Sequence, residues 1–341
     1  MSRSTSIVER GEPIRLPESP VMITGAGGFI GSHLAEACVE RGLRVKALLH
    51  YNAQGRWGWL DKSPLAGDME IVLGDVRDFD CVHRAMQGCR TVFHLAALIG
   101  IPYSYASPLA YVRTNVEGTY NVLEAARGLG APRVLVTSTS ETYGTAQYVP
   151  IDEAHPAAAQ SPYAATKIAA DQLALSYFRS FGLPVRVARP FNTYGPRQSA
   201  RAFIPAVIVQ LLSGARRVQV GNLEPTRDLT FVRDTVAGLL AIASAAGLDG
   251  TVTNIGTGTE ISMGNLVAKI AAQLGAEVET AVDAQRVRPD DSEVERLVCD
   301  ASRIRSLTGW APRYDLDAGL AETIAWIREN LQAFRPAAYN V

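Results

Sequence analysis

The chain has 341 residues, of which 47% are hydrophobic, so it can bury a large core as one domain or as two joined ones. Its 33 basic and 34 acidic residues leave a net charge of -1, which gives no reason to expect a nucleic-acid or membrane partner. No apolar run approaches the ~20 residues that span a bilayer, and the four cysteines show neither metal-ligand nor redox spacing. We therefore expect a cytoplasmic protein without a metal site, in which residues 1–20 form a flexible leader.

From residue 21 onward, short apolar runs alternate with longer helical ones. The runs that predict strands are 21–24, 45–49, 70–73, 91–95, 134–138 and 185–188, and helices are predicted near 34–37, 78–86, 109–129 and 163–181. Such alternation is typical of a parallel sheet covered by helices on both faces. The prediction is an α/β fold, a Rossmann-type doubly wound parallel sheet over residues 21–190. Residues 191–341 would form a smaller, mainly substrate-binding region, with some segments returning to the sheet.

A glycine-rich loop, "TGAGGFIGSHL", follows the first predicted strand and opens the first helix. Gly25, Gly28 and Gly31 suit a tight turn, a close approach to a pyrophosphate and close packing of helix on sheet. The start of the helix, with Phe29 and Ile30, would offer free N–H groups to the phosphates. A structural turn without a ligand is the alternative.

The polar residues after the second and third strands bear on which dinucleotide is bound. Asp75, followed by Val76, could accept the adenine amino group, or it could be a solvated turn residue. An acid that would bind the ribose 2'-hydroxyl of NAD is missing at the end of the second strand. The polar candidates there are His50, Asn52 and Arg56, of which Arg56 could face a 2'-phosphate, so NAD and NADP both stay open.

Two further motifs carry groups that can move protons. "SPYAATK" sets Tyr163 and Lys167 four residues apart on one face of a helix, where an ammonium group would favour the phenolate and lower its pKa. "STSETYG" lies at the end of a strand and adds a carboxylate, Glu141, to a run of hydroxyl residues. Glu141 is either a base or a loop acid that faces solvent.

Taken together and in this order, the motifs resemble those of the extended short-chain dehydrogenase/reductase family of nucleotide-sugar epimerases and dehydratases. The resemblance covers residues 21 to about 331. It is carried by "TGAGGFIGSHL", "GDVRD", "VFHLAA", "NVEGTYNVLEAA", "SPYAATK", "RPFNTYGPRQ", "RDLTFVRD", "NIGTG" and "GWAPRYDLDAGLAETIAW". It implies a tightly bound NAD(P), with NAD favoured, held in part by Leu95, Ala96 and Ala97.

The resemblance also implies roles for the residues of the two proton-moving motifs. Tyr163 would deprotonate the sugar C4 hydroxyl, Lys167 would also hold the nicotinamide ribose, and Thr139 would hydrogen-bond the sugar oxygen. The 4,6-dehydratases of the family carry a carboxylate after Thr139, and the order Thr139-Ser140-Glu141 is similar to that in GDP-mannose 4,6-dehydratase. The dTDP-glucose branch has an aspartate where this chain has Ser140. Glu141 would remove the C5 proton once C4 is a ketone.

A closer likeness is to bacterial 4,6-dehydratases of the legionaminic-acid type, whose substrates are nucleotide-activated N-acetylglucosamines. The substrate residues implied are Ser104 and Ser140 by the sugar, Asn192 near the sugar and diphosphate, and Arg227 and Arg288 at the phosphates and ribose. Arginine suits bidentate contacts to oxyanions. The substrate would be a UDP-, GDP- or dTDP-sugar.

Three alternatives accompany the prediction of a dehydratase. UDP-glucuronate decarboxylases also show a Ser-Glu pair after the threonine, and 4-epimerases share the Thr-Tyr-Lys set. A non-catalytic NAD(P)-binding regulator would belong to another class of function. The helices predicted near 109–129 and 163–181 resemble those that pair across the family's dimer interface, so a homodimer is expected.

Overall fold

The computed structural model describes residues 16–130 and 132–334. Most of the leader predicted at residues 1–20 therefore lies outside the described residues. None of the helices among them is long and apolar enough to cross a membrane. Ser19 is followed by a cis proline, and the first strand begins directly after it.

The strands are short and, in the centre of the molecule, almost wholly buried. They are β1 Val21–Thr24, β2 Val45–His50, β3 Met69–Gly74, β4 Thr91–His94, β5 Arg133–Thr137, β6 Val185–Pro190, β7 Asn192–Tyr194, β8 Arg217–Val220, β9 Thr226–Phe231, β10 Val252–Ile255, β11 Glu260–Ser262, β12 Glu279–Val282 and β13 Arg296–Leu297. The six strands predicted from sequence correspond to β1–β6, with ends that differ by at most two residues.

The helices fill the segments between the strands. They are α1 Phe29–Glu40, α2 Phe79–Met86, α3 Ile101–Ala106, α4 Pro108–Tyr111, α5 Gly118–Gly128, α6 Pro162–Phe181, α7 Phe203–Leu212, α8 Val232–Ser244, α9 Met263–Leu274, α10 Ser302–Thr308 and α11 Leu316–Glu329. The single helix predicted near 109–129 is instead α4, followed by the π-helical segment Val112–Glu117 and by α5. In the π-helical segment, the Asn115 side chain bonds to the backbone of Leu98 and to Thr166 Oγ1.

Seven strands form one parallel sheet in the order β10-β6-β5-β4-β1-β2-β3. The predicted doubly wound Rossmann-type fold is confirmed. Helices α1 and α8 cover one face of the sheet, and α2, α5 and α6 cover the other. Because apolar layers lie on both sides, strands such as β1, β4 and β6 are buried at every residue.

The chain after residue 190 builds a second apolar cluster and also returns to the sheet. Helices α7, α9 and α11 pack together with the β8–β12 pair. Strand β9 lies between β11 and β13 and also pairs with β7. Strand β10 pairs in parallel with β6 at the edge of the large sheet. The domain boundary at residue 190 stays a prediction.

Candidate active site

A cleft of about 1460 Å³ opens at the carboxyl ends of the sheet strands, between the sheet and the C-terminal region. It includes the point where the strand order reverses between β1 and β4, which is where α/β folds bind ligands. Nearly all predicted site residues line it: Gly25, Gly28, Phe29, Ile30, Gly31, Asp75, Val76, Leu95, Ala96, Ala97, Thr139, Ser140, Glu141, Tyr163, Lys167, Asn192, Arg227 and Arg288.

The glycine loop has the form that a dinucleotide diphosphate requires. Gly25 has φ of 72°, and a Cβ on it would lie 2.9 Å from the backbone N of Ala96. A Cβ on Gly31 would collide with the Gly25 carbonyl. Helix α1 begins after Gly28 without a side-chain cap and without an acid in its first turn. Its positive dipole end therefore faces the cleft and suits an anion.

The turn after β2, which contains Trp57 and Trp59, closes one side of this loop. Trp59 N donates to Gly27 O at 3.0 Å, and a Cβ on Gly27 would lie 2.5 Å from Trp57 O. The Trp59 ring meets Trp326 of α11 edge-on, with centroids 5.1 Å apart. Gly58, which lies between Trp57 and Trp59, has φ of 65°. A glycine at this point was the feature of the sequence that could have indicated the turn.

The polar residues beside the second and third strands already have partners. The Asn52 side chain accepts from Arg56 N at 3.0 Å and donates to Arg56 O at 2.8 Å, so it closes its own loop. Asp75 accepts hydrogen bonds from Arg77 N at 2.9 Å and from Arg77 Nη2 at 2.5 Å, and the Arg77 side chain lowers the pKa of Asp75. The Arg56 side chain is exposed at the edge of the cleft.

The strand-end loop after β5 carries the hydroxyls and the carboxylate. A 3₁₀ turn, Ser140–Tyr143, follows Thr139, whose Oγ1 accepts from Glu141 N at 3.3 Å. Ser140 and Glu141 are 2% and 8% exposed, so Glu141 does not simply face solvent. The turn ends at Gly144, with φ of 67°, where a Cβ would collide with the carbonyl of Ala158.

Tyr163 and Lys167 lie on α6 directly behind this loop and are almost fully buried. Lys167 Nζ donates to Thr137 O at 2.5 Å. Burial lowers the pKa of Lys167 and raises the pKa of Tyr163, and a hydrogen bond with Thr139 opposes the rise for Tyr163. Loss of solvation outweighs the hydrogen bond from Thr139 at Tyr163 in this structure, and the lowering of its pKa by the Lys167 ammonium group stays a prediction.

Asp171, which the sequence analysis did not identify, links α6 to the strand ends next to Lys167. Its Oδ2 accepts from Ser138 Oγ at 2.6 Å and from Arg189 Nη2 at 2.7 Å. Its charge raises the pKa of Lys167, against the effect of burial. Asp171 follows Lys167 by four residues on the same helix face, and this spacing was the signal in the sequence.

Arginines from the C-terminal region face Glu141 across the cleft. Arg288 Nη1 lies 3.6 Å from Glu141 Oε2, and Arg227 Nη2 lies 3.1 Å from Glu293 Oε1. Burial lowers the pKa of Arg227, and the charges of Glu141 and Glu293 act in the opposite direction. Sequence analysis named both arginines but not Glu293.

Two of the predicted substrate residues, Asn192 and Arg288, line the cleft and each have one buried polar atom without a hydrogen-bond partner among the described residues, whereas Ser104 does not reach the cleft. Asn192 Oδ1 and Arg288 Nη1 are buried atoms without a hydrogen-bond partner in the described part of the chain. Ser104 is fully buried, and its hydroxyl donates to Ile101 O at 2.7 Å within α3. The expectation that Ser104 lies by the sugar is not met here, because α3 turns this side chain inward.

No group of three or more His, Cys, Asp or Glu side chains that could hold a metal ion occurs among residues 16–130 and 132–334. Cys38, Cys81, Cys89 and Cys299 are all buried and free. Burial raises the pKa of Cys38 to about 12, so this thiol is neutral.

Comparison with known proteins agrees with the motifs and the cleft. The family model described as GDP-mannose 4,6 dehydratase matches residues 22–323. The dTDP-glucose 4,6-dehydratase of Streptomyces antibioticus is 33% identical over 321 residues, 93% of this chain and 94% of the relative. The UDP-glucose 4-epimerase of Mycolicibacterium smegmatis is 33% identical over 316 residues, 91% of this chain and 99% of the relative.

Among solved structures, the dTDP-glucose 4,6-dehydratase of Streptomyces venezuelae, with NAD bound, has a TM-score of 0.84 at 29% identity. The match covers 93% of this chain and 99% of that one. The NAD in that structure agrees with the prediction that NAD is the favoured cofactor. The chain belongs to the GDP-mannose 4,6-dehydratase family, an enzyme family among the extended short-chain dehydrogenases/reductases.

Proposed function

We propose that the protein is an NAD-dependent nucleotide-sugar 4,6-dehydratase. The observation that carries the proposal is the position of Glu141, a buried carboxylate two residues beyond Thr139 in the cleft that Tyr163 and Lys167 also line. A 4-epimerization needs proton and hydride transfer at C4 only. A second base in the same cleft is needed when the C5 proton must also leave.

Oxidation at C4 is assigned to the residues of α6 and the strand end. Tyr163 would take the proton of the C4 hydroxyl, with Thr139 holding the same sugar oxygen. The Lys167 ammonium group would favour the phenolate electrostatically once substrate and cofactor exclude water. Bound NAD would accept the hydride from C4 and later return it to C6.

Elimination is assigned to Glu141. With C4 oxidised, the C5 proton becomes acidic, and the Glu141 carboxylate would remove it while the C6–O bond breaks. Tyr163 and Glu141 each remove one proton; one of these two protons leaves with the C6 hydroxyl as water, and the other returns to C5. Because the hydride lost from C4 is regained at C6, atoms and electrons balance, and the cofactor is regenerated in each turnover.

The residues present fit a dinucleotide and a nucleotide sugar. Gly25 and Gly31 leave no room for a Cβ, and the uncapped start of α1 offers N–H groups for the cofactor diphosphate. Arg227 and Arg288 would bind the sugar nucleotide's phosphates and ribose, and Asn192, which also lines the cleft, would lie near the sugar and diphosphate. Ser140 would contact the sugar.

For the sugar, we propose a nucleotide-activated N-acetylglucosamine or a related hexose. This finer assignment is supported by the likeness of several segments to dehydratases of the legionaminic-acid type, among them "YNAQGRWGWLD" and "TSTSETYGTAQYVPI". The relatives named above act on dTDP-glucose and UDP-glucose, so the base of the nucleotide is one of the variables to test.

A 4-epimerase is the second candidate, and the observation in its favour is the 33% identity to the Mycolicibacterium smegmatis epimerase. UDP-glucuronate decarboxylation is a related alternative, since it also begins with oxidation at C4. A 4-epimerization has no use for an acid after Thr139. UDP-glucuronate decarboxylases share the Ser-Glu pair, so the mass of the product, and not Glu141, separates decarboxylation from dehydration.

We also propose a cytoplasmic homodimer. Helix faces on α4, α5 and α6 and the π-helical segment expose large apolar side chains, among them Leu109 at 59%, Tyr120 at 46% and Phe181 at 54%. Exposed apolar side chains on neighbouring helices suit a four-helix contact between two copies. Sedimentation of the purified protein would test this, and a monomer at micromolar concentration would contradict it.

The experiment for the proposed reaction is to incubate the protein with a panel of UDP-, GDP- and dTDP-sugars and weigh the products. Loss of water indicates a dehydratase, and loss of carbon dioxide indicates a decarboxylase. A product of unchanged mass, separable from the substrate by chromatography, indicates an epimerase. No turnover of any member would favour a non-catalytic role and contradict the proposal.

A further inference from the structure

Four charged side chains form one cluster on the rim of the cleft beside the strand-end loop: Glu141, Arg227, Arg288 and Glu293. Arg288 Nη1 lies 3.6 Å from Glu141 Oε2 and 3.7 Å from Glu293 Oε1. That nitrogen therefore sits midway between two carboxylates and donates a hydrogen bond to neither. Glu293 Oε1 is also 3.1 Å from Arg227 Nη2, so Glu293 contacts both arginines.

The segment that carries Glu293 is fixed against the residues that lead into α6. Gln160 Nε2 donates to Glu293 O at 3.0 Å, and Ser292 Oγ donates to Gln160 O at 2.6 Å. The Tyr105 hydroxyl lies 2.6 Å from Ser292 Oγ. These bonds hold the backbone of Glu293 independently of its carboxylate, so the carboxylate can be changed without removing the anchor of the segment.

We propose that Glu293 is a positioning residue for the elimination step, and that it acts by keeping Arg288 from pairing directly with Glu141. The inference rests on the base role proposed for Glu141. Guanidinium groups bind carboxylates in bidentate geometry, and their attraction is strong where solvent is partly excluded. Without the charge of Glu293, Arg288 would settle on Glu141 and occupy the lone pairs that must accept the C5 proton.

The other charged groups around Glu141 reinforce this effect. The charge of Glu141 raises the pKa of Arg227, against the effect of burial, and adds to the rise in the pKa of Tyr163 that burial causes. Loss of the Glu293 charge would leave two arginines facing one carboxylate. Glu293 pairs with Arg227 and Arg288. Oxidation at C4 is instead assigned to Tyr163 and Lys167, so the two partial reactions should respond differently to loss of the Glu293 charge.

The test uses the Glu293→Gln variant of the NAD-loaded protein, with Glu295→Gln as the matched control. Glu295 is exposed and lies two residues further along the same segment. With a nucleotide sugar that the wild type dehydrates, absorbance of the reduced cofactor reports C4 oxidation, and product mass reports dehydration. We expect Glu293→Gln to oxidise C4 within about twofold of the wild type and to dehydrate about tenfold more slowly, as for coupled charged neighbours.

A second variant separates positioning from simple loss of structure. At saturating substrate, adding Arg288→Met to Glu293→Gln should speed dehydration relative to Glu293→Gln alone, although KM rises, because the competing cation is gone. The inference is overturned if Glu293→Gln matches Glu295→Gln, if both partial reactions fall together, or if the double variant is slower than Glu293→Gln. A wild type that dehydrates no nucleotide sugar overturns the proposed function as well, whereas a dehydrating wild type with a normal Glu293→Gln variant overturns only this inference.

Discussion

Two parts of the cleft hold their charged groups in different ways. The floor carries Tyr163, Lys167 and Asp171 of α6, and the C-terminal rim carries Arg227, Arg288 and Glu293. On the floor, Lys167 and Asp171 make hydrogen bonds of 2.5 to 2.7 Å to strand and loop partners. On the rim, Arg288 approaches Glu141 and Glu293 at 3.6 and 3.7 Å without a hydrogen bond from the same nitrogen. The floor therefore has its hydrogen bonds in place in this structure, whereas Arg288, the proposed phosphate ligand on the rim, is held by charge alone at this nitrogen. Preorganised groups suit the chemical step, and exchangeable ones suit binding.

The largest expected effect is on the floor. Tyr163→Phe keeps the ring and its edge-on contact with Tyr111 but removes the hydroxyl that is proposed to take the C4 proton. Turnover should fall by about 10³- to 10⁴-fold, while NAD stays bound. Tyr177→Phe, on the same helix with its hydroxyl bonded to Glu124, is the control and should stay near wild type. Wild-type turnover in Tyr163→Phe would show that the base lies elsewhere.

The next largest effect is expected at Glu141, which lies between the floor and the rim. Glu141→Gln preserves size and hydrogen bonding but cannot accept the C5 proton. Dehydration should fall by about 10²- to 10³-fold, yet reduced cofactor should still appear on addition of substrate. Both quantities can be followed in one sample by absorbance and mass. If the variant dehydrates at the wild-type rate, Glu141 plays no part in elimination.

The third effect is on the free energy of unfolding, to which the buried ion pair of the floor contributes. Asp171→Asn breaks a pair whose side chains are only 1% and 8% exposed, and should lower the free energy of unfolding by about 3 kcal/mol. Asp317→Asn is the matched control, because its pair with Lys269 has side chains 63% and 34% exposed and should contribute at most about 1 kcal/mol. Denaturant titration measures both. Equal losses in the two variants would contradict the distinction between a buried floor pair and a surface pair.

The smallest effect is at the far end of the cleft. Arg56 is exposed, and its backbone rather than its side chain is tied to Asn52. Arg56→Gln should therefore weaken NADP binding by less than about tenfold, as for a solvent-exposed ion pair, and leave NAD binding unchanged. Arg56→Lys, which keeps the charge, should retain NADP binding. Calorimetric titration measures both cofactors, and a large loss of NAD affinity would contradict this reading.

The floor was more predictable from sequence than the rim. The glycine loop, the four-residue spacing of Tyr163 and Lys167 and the strand-end hydroxyls depend on local patterns, and the predicted strands match within two residues. The partners of Arg288 depend on a loop over a hundred residues away from Glu141 in sequence, which no local pattern encodes. The predicted position of Ser104 beside the sugar is not found, because the turn of the short helix α3 decides which of its side chains reach the cleft.

Dehydration through removal of the C5 proton is the central claim, and turnover in heavy water tests it most directly. The wild-type protein should convert its nucleotide sugar to a 4-keto-6-deoxy product that has lost water and carries one deuterium at C5. The hydride that moves from C4 to C6 should remain undeuterated, because it never exchanges with solvent. A product that retains its C5 hydrogen in full, or one that has lost carbon dioxide or nothing in place of water, would contradict the account.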